Sequence, residues 1–298
     1  MTLGVHQVDG SIAEKAAVKI RAALKKSVNA NDVVAGYLHT HPEVTEFISQ
    51  DRARARAWAM HNVTLDHTAL ESALRQHYAD MYVTGVASTY DAYGQALRSR
   101  KAEKKPVHNW DSMAWATKVL ENAINWDTWV PGNKATEALV RPPGGLQKLL
   151  GDVKIKSLDM KKSSYDLLGS KLADGFAIGA SPTKLASMIE DSLSTPERSL
   201  MIALTEGSRA ANAAAVDSYA ALGVEKIQWV AADPDDEICD IDGEITDVDG
   251  EFSNGLTADD IPDGTHPNCR CSTMGVPPEP SQESMDEVQA MMDQASEE

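Results

Sequence analysis

The chain has 298 residues, 42% of them hydrophobic and 5% aromatic, with a net charge of −17. That length holds one large domain or two ordinary ones. No run of eighteen apolar residues occurs, so no membrane-spanning helix is expected.

Met1–Ser11 has neither the basic nor the apolar region of a secretory signal, so none is expected. The charge is split: 20 acidic residues and one basic residue, Arg270, lie between Asp233 and Glu298, giving −19 there and +2 in 1–232. The acidic C-terminal part therefore repels nucleic-acid phosphates. Any DNA-facing surface would have to come from basic patches in the body, at Arg52, Arg54 and Arg56 or at Arg98, Arg100, Lys101, Lys104 and Lys105. A solvated helix face is the simpler reading of each patch.

The first 130 residues read as helices. Ser11-Ile12-Ala13-Glu14 has the form of a capping box, and Ile12, Ala16, Ile20, Leu24 and Val28 follow at four-residue spacing. A second helix is expected over Glu46–His61. A third is expected over Thr68–Leu97, with Leu70, Leu74, Tyr78, Met81 and Tyr82 on one side. Lys101–Pro106 reads as a break, and Asp111–Asn125 as another helix. Trp126–Gly132 and Arg141–Gly145 are punctuated loops, and Trp110, Trp115, Trp126 and Trp129 are expected to pack where helices meet.

From Ser163 a helix carries Leu167, Leu168, Leu172 and Phe176 to Gly179. Ser181-Pro182 and Thr195-Pro196 each supply an N-cap followed by proline at the first helical position. Gly223 suits the end of the second of these helices. Val224–Ala232 alternates Ile227, Trp229 and Ala231 against polar neighbours and reads as a strand. From Glu279 onward there are seven acidic residues, no basic ones and no aromatics, the composition of a mobile tail.

All three cysteines lie in one short window, Cys239, Cys269 and Cys271, together with His266. Three thiols cannot all pair with one another, so free or metal-bound thiols in a reducing compartment are expected. Between them, Asp240–Thr265 is rich in Asp and Gly and poor in large apolar residues, so a cross-link is expected to hold it.

Four readings of the cluster stand. Three thiols and an imidazole complete a structural zinc shell. A catalytic zinc would keep one position for water, and where a deaminase has Pro-Cys-x-x-Cys the thiols here are spaced Cys-x-Cys. A Cys–His nucleophile pair would need an orienting group and an oxyanion hole, and nothing identifies either. Ordinary buried thiols are the fourth reading.

The Asp-rich echo Asp240–Glu244 and Asp247–Glu251 fails the EF-hand register: with Gly243 or Gly250 at the sixth position, Ile238 or Ile245 falls at the first. Tight turns with solvated carboxylates are expected there. His39-Thr40-His41-Pro42 reads as a capped turn. Glu206, Arg209 and Asn212 form either a surface ion pair or a polar stripe that faces the loop and fixes it. Phosphate loops and a Gly-x-Ser-x-Gly elbow are absent.

The run Thr205-Glu206-x-x-Arg209-Ala210-x-Asn212, Tyr219, Gly223-Val224, Trp229, Asp236-x-x-Cys239 and His266-Pro267-Asn268-Cys269-Arg270-Cys271 resembles the phage Mu F-like head-morphogenesis, or minor capsid, family. The likeness covers Leu167–Thr273. Trp126-Asp127-x-Trp129-x-Pro131-Gly132 and Arg141–Leu146 resemble the versions carried by actinobacterial tailed phages.

Where that family has a second thiol, this chain has Asp242, which can ligate in place of another donor. The candidate metal ligands are therefore Cys239, His266, Cys269, Cys271 and Asp242, with structural zinc as the implied cofactor. The resemblance implies a non-catalytic minor capsid protein acting in procapsid morphogenesis. It would sit inside the head after assembly in the host cytoplasm, with the portal and the major capsid or scaffolding protein as partners. Packaged DNA is a further possible contact, and no membrane is involved.

The rivals from other classes are a metal-dependent phage hydrolase or nuclease, and a packaging or ejection factor that binds DNA through its basic patches. The expected fold is mainly α. A helical N-terminal region spans 1–130. The head-morphogenesis domain spans 131–275, helical with a small β element and a Cys/His-clasped loop. An acidic disordered tail spans 276–298.

Overall fold

The computed structural model describes residues 10–40, 52–99, 144–232, 237–262, 264–266 and 269–277, with side chains in the second segment described to residue 89. Seven α-helices, three short strands and one 3-10 turn follow in order among them: α1 (Gly10–Lys26), α2 (Ala30–Thr40), α3 (Arg52–Asn62), α4 (Thr68–Ser99), α5 (Gly144–Ala177), α6 (Pro182–Leu193), α7 (Pro196–Leu222), β1 (Lys226–Val230), β2 (Ile245–Asp247), the turn Ala258–Asp260, and β3 (Ser272–Val276). The expected helix over 111–125, the four-tryptophan junction, the basic patch near residue 100, His41 and the tail from Pro278 lie outside the described residues.

The expected stripe of α1 is the buried one: Ala16, Ile20 and Leu24 are buried and Ile12 packs beside them. Ser11 lies inside the helix rather than capping it, because helical geometry already begins at Gly10. The side chain of Asn29 accepts from Asn31 N–H at 3.1 Å and caps α2, a short helix that periodicity alone did not mark. Ser181 and Thr195 cap α6 and α7 as expected, accepting from Lys184 N–H and Arg198 N–H. Gly223 closes α7 in the left-handed region at φ 66, where only glycine avoids Cβ strain.

One helix begins far earlier than the sequence suggests. α5 starts at Gly144, inside what reads as a Pro-Pro-Gly-Gly loop, and not near Ser163. Its first turn is held by tertiary contact: the Asp217 carboxylate of α7 accepts Gly145 N–H at 2.9 Å and also the Tyr82 hydroxyl of α4. Burial holds the Asp217 carboxyl above the usual carboxylate range.

Three cores result. The first joins α1, α4, the first half of α5 and α7 through Ile20, Leu24, Leu74, Tyr78, Leu150 and Ala210. The second joins α2, α3, the second half of α5 and α6 through Val34, Tyr37, Ala59, Leu168, Leu172 and Ile189. Tyr37 packs edge-on to Trp58 at 4.9 Å and stacks on Phe176 at 5.3 Å. α5, roughly 51 Å long, takes part in both. The third core sits where the end of α7 meets the sheet and the acidic loop: Tyr219, Ile227, Trp229, Phe252 and Ile261 pack with the three cysteines. α7 thus carries the metal-type cluster on the same rod that organises the helical body.

The sheet has the order β2-β1-β3, antiparallel throughout. β1 is the expected strand, trimmed to Lys226–Val230, and Ile227 and Trp229 face the core. β2 and β3 are additions: β2 has three residues, too few for a period, and β3 carries a glycine and small polar residues with no clear apolar alternation.

Two arginines of the exposed α3 patch pair with α5. Arg52 pairs with Asp174 at 2.8 Å and Arg56 pairs with Asp166, both carboxylates belonging to α5.

Candidate metal centre

Cys239 lies in the turn after β1, and Cys269 and Cys271 in the strand-like approach to β3. β1 and β3 are paired from Lys226↔Val276 to Val230↔Ser272. That register brings the two thiol-bearing ends to the same edge of the sheet. Cys239, Cys269 and Cys271 are buried, at 0%, 0% and 1% exposure, and His266 is half-buried.

The ligand atoms of Cys239, His266 and Cys269 lie within 4.8 Å of one another. Cys239 Sγ is 3.5 Å from His266 Nε2 and 3.9 Å from Cys269 Sγ. Cys271 stands beside this trio. Its backbone N–H donates to Cys269 Sγ at 3.4 Å, and its thiol is a hydrogen-bonding neighbour of both other thiols. The hydrogen bond from the Cys271 thiol pulls the Cys269 thiol down to about 5, whereas the same bond and burial push Cys271 up. Two sulfurs and an imidazole nitrogen gathered this closely form a soft donor set that can hold a metal ion.

Asp242, the fifth candidate, is used elsewhere. Its Oδ1 accepts Ala231 N–H at 2.9 Å and fastens the loop to the end of β1, apart from the three-donor group. A short acid near cysteines in sequence resembles a ligand, but here the nearest unsatisfied partner is a backbone amide just past the strand.

The acidic loop is more tightly organised than its composition indicates. Gly243 at φ 86 donates its N–H to Trp229 O at 3.0 Å. Glu244 accepts from the Ser253 backbone N–H and hydroxyl, Asp260 accepts from Thr257, and Asn254 donates to Ile238 O. These carboxylates are hydrogen-bonded and not merely solvated. Thr257 pulls the Asp260 carboxyl below the usual range through those two bonds. Phe252 packs edge-on against Trp229 at 5.1 Å, and Ile261 is buried beside it. The loop therefore has a small apolar core of its own in addition to the thiol cluster.

The Glu206–Arg209–Asn212 stripe is buried rather than a surface pair. Arg209 Nε lies 3.1 Å from Glu206 Oε2, with both side chains nearly enclosed. The Tyr78 hydroxyl of α4 donates to Glu206 at 2.5 Å. Asn212 Nδ2 donates to Cys271 O at 3.1 Å, and the Tyr219 hydroxyl donates to Thr273 O at 2.7 Å. One face of α7 thus grips α4 and, two turns on, the backbone that carries two of the cysteines. Tyr219 in this role was visible in the sequence only as part of a family pattern; no local signal gives its partner.

Residues 167–274 match the family model described as Phage Mu protein F like protein, and this segment is similar to that family. No curated protein and no solved structure matches the chain. The matched segment runs from the second half of α5 into β3 and contains every residue of the cluster.

Proposed function

We propose that this Mu F-like chain is a minor capsid protein of a tailed phage that acts in head morphogenesis, without catalysis, and associates with the portal inside the head. The observation that carries the reading is the family match over 167–274 coinciding with the thiol–imidazole cluster and the α7 stripe that holds it. The site is built as a fastening. Its thiols are buried, the backbone beside them is bonded to a long helix, and no helix among the described residues is long and apolar enough to cross a membrane.

Structural zinc is the metal this donor set fits. With Zn–S near 2.3 Å and Zn–N near 2.0–2.1 Å, a tetrahedral centre places sulfurs roughly 3.8 Å apart and sulfur and nitrogen roughly 3.6 Å apart. The separations here are 3.9 Å and 3.5 Å. Cys239, His266 and Cys269 would hold the ion, and Cys271 is the neighbouring thiol available for the fourth position. A bound zinc would cross-link the turn after β1 to the approach to β3.

Two measurements test the reading. Purified protein is expected to carry about one zinc equivalent, and Cys269→Ser to lose it and melt at lower temperature. A metal-free protein of equal stability rejects the zinc assignment. Co-expression with the portal protein of the same phage is expected to yield a complex, and mass spectrometry to find the chain in mature virions. Absence from virions rejects the capsid assignment, whatever the metal result.

A further inference from the structure

Two thiols of the cluster stand close enough to be joined directly. Cys239 Sγ and Cys269 Sγ lie 3.9 Å apart, on residues 30 positions apart in the chain, and both are free thiols. A disulfide holds its sulfurs at about 2.05 Å, so the pair must close by roughly 1.9 Å. Side-chain rotation covers that distance.

The backbone on each side is fixed by bonds that do not use the donor atoms. Asn254 Nδ2 donates to Ile238 O at 2.8 Å, and Ile241 N–H to Cys239 O at 2.8 Å. Across the site, Cys269 N–H donates to His266 O at 3.1 Å, and Asn212 holds Cys271 O. The β1–β3 register sets the spacing between the two sides. The scaffold itself therefore keeps the two sulfurs within reach of each other.

Of the possible pairs, Cys239–Cys269 is the one that fastens the lobe. It would join the turn after β1 to the approach to β3, the same two segments that a bound zinc would join. A Cys269–Cys271 link would close a small ring within one segment and fasten nothing. Once Cys239 and Cys269 are joined, the cluster keeps only His266 and Cys271 as donors, two short of a structural zinc shell. The disulfide and the metal therefore exclude each other. His266, the half-buried donor, is the side from which a small oxidant can approach.

We propose that Cys239 and Cys269 are an oxidation site, at which a peroxide replaces the zinc clasp by a disulfide clasp between the same two segments. The proposal rests on the zinc reading above. One thiolate of the pair attacks a peroxide oxygen, giving a sulfenic acid and hydroxide. The second thiolate attacks the sulfenic sulfur, forms the S–S bond and expels a second hydroxide. Two thiolates, one hydrogen peroxide and two protons thus give one disulfide and two waters. Two electrons pass from sulfur to oxygen, and the zinc ion is released without change of charge. A head protein built in a reducing cytoplasm and carried out in a released particle would pass from the first clasp to the second. The lobe around Trp229 would stay closed through the change.

The test is titration of the zinc-loaded full chain with hydrogen peroxide. Freed zinc is read with a colorimetric indicator, cysteine pairs by peptide mass spectrometry, and the lobe by Trp229 emission, taken as the difference from Trp229→Phe. Zinc and the Cys239–Cys269 disulfide are expected to appear in equal amounts. Trp229 emission is expected to stay where it is in the reduced, zinc-bound chain, without the red shift that chelation of the reduced chain gives. Dithiothreitol followed by zinc is expected to restore the first state. Zinc retained or released without this link, a Cys269–Cys271 link, links only between chains, or a link accompanied by the red shift each overturn the proposal and leave the zinc reading standing. A reduced chain that holds no zinc overturns the zinc reading first, and the exchange of clasps with it.

Discussion

Asn212 shows how a single buried amide couples the clasp to the helical body. Its Nδ2 is shared between Ser208 O and Cys271 O, both at 3.1 Å, and the residue is 3% exposed. Replacement by alanine would leave the Cys271 carbonyl without its donor. Asn212→Ala is expected to cost about 1–3 kcal/mol in urea unfolding and to loosen metal retention, read as faster zinc loss to a chelator. Unchanged stability and retention would remove Asn212 from the clasp.

Two buried histidines set a pH dependence. The two ring nitrogens involved are His67 Nδ1, 3.0 Å from Ser157 O, and His77 Nε2, 2.7 Å from Ala203 O. Each ring's second nitrogen is buried without a hydrogen-bond partner. Burial lowers both pKa values from 6.5; for His67, Lys161 and Arg198 add to this and Glu71 opposes it, and for His77, Lys19 adds and Asp80 opposes. The unfolded chain therefore binds these protons more readily. Their contribution is complete above about 6.5 and is lost as pH falls from there toward the lower folded values. His67→Asn and His77→Gln keep a donor near the same atom without titrating. The double variant is expected to lose less stability between pH 7.5 and 5.5 than the parent chain, and an identical slope would refute the assignment.

At the scale of elements, the α4–α7 crossing depends on small residues. A Cβ built on Gly85 would meet Ala214 Cβ at 2.9 Å and the Ala211 backbone at 3.1 Å. Helix propensity favours alanine over glycine by about 1 kcal/mol, but this crossing has no room for it. Gly85→Ala is expected to lower stability by about 1–3 kcal/mol through overpacking, measured by thermal or urea unfolding; a stabilised variant would show that the helices can separate freely. The same crossing explains why α5 starts where it does. Gly145 also meets α7 closely, at Asp217 and Ala213, and the Asp217 carboxylate caps it. A Pro-Pro-Gly-Gly run signals a loop, and a partner from 72 residues away turns its second half into a helix N-terminus.

Across the whole molecule, the three cores predict uneven stability. The lobe around Trp229 takes Ala215 and Tyr219 from α7 and has its own core. Metal removal by a chelator at neutral pH is expected to expose Trp229, seen as a red shift in emission that Trp229→Phe lacks. The far-UV helical signal should persist. Concerted loss of both signals would show that lobe and body form one cooperative unit.

The sequence by itself determined the helical class, the caps at Ser181 and Thr195, the stop at Gly223, the strand containing Trp229 and the thiol–imidazole residue types that cluster. Each of these is a local signal: a period, a cap, a glycine that must adopt positive φ, or a scarce residue type concentrated in one window. The tertiary structure alone decided that Asp242 serves Ala231 and that Glu206 and Arg209 are buried. It also decided that Asn212 and Tyr219 hold β3 and its approach, and that α5 begins at Gly144. These depend on pairs far apart in the chain, where a polar group bonds whichever partner folding brings within 3 Å or so, and no local pattern encodes that distance.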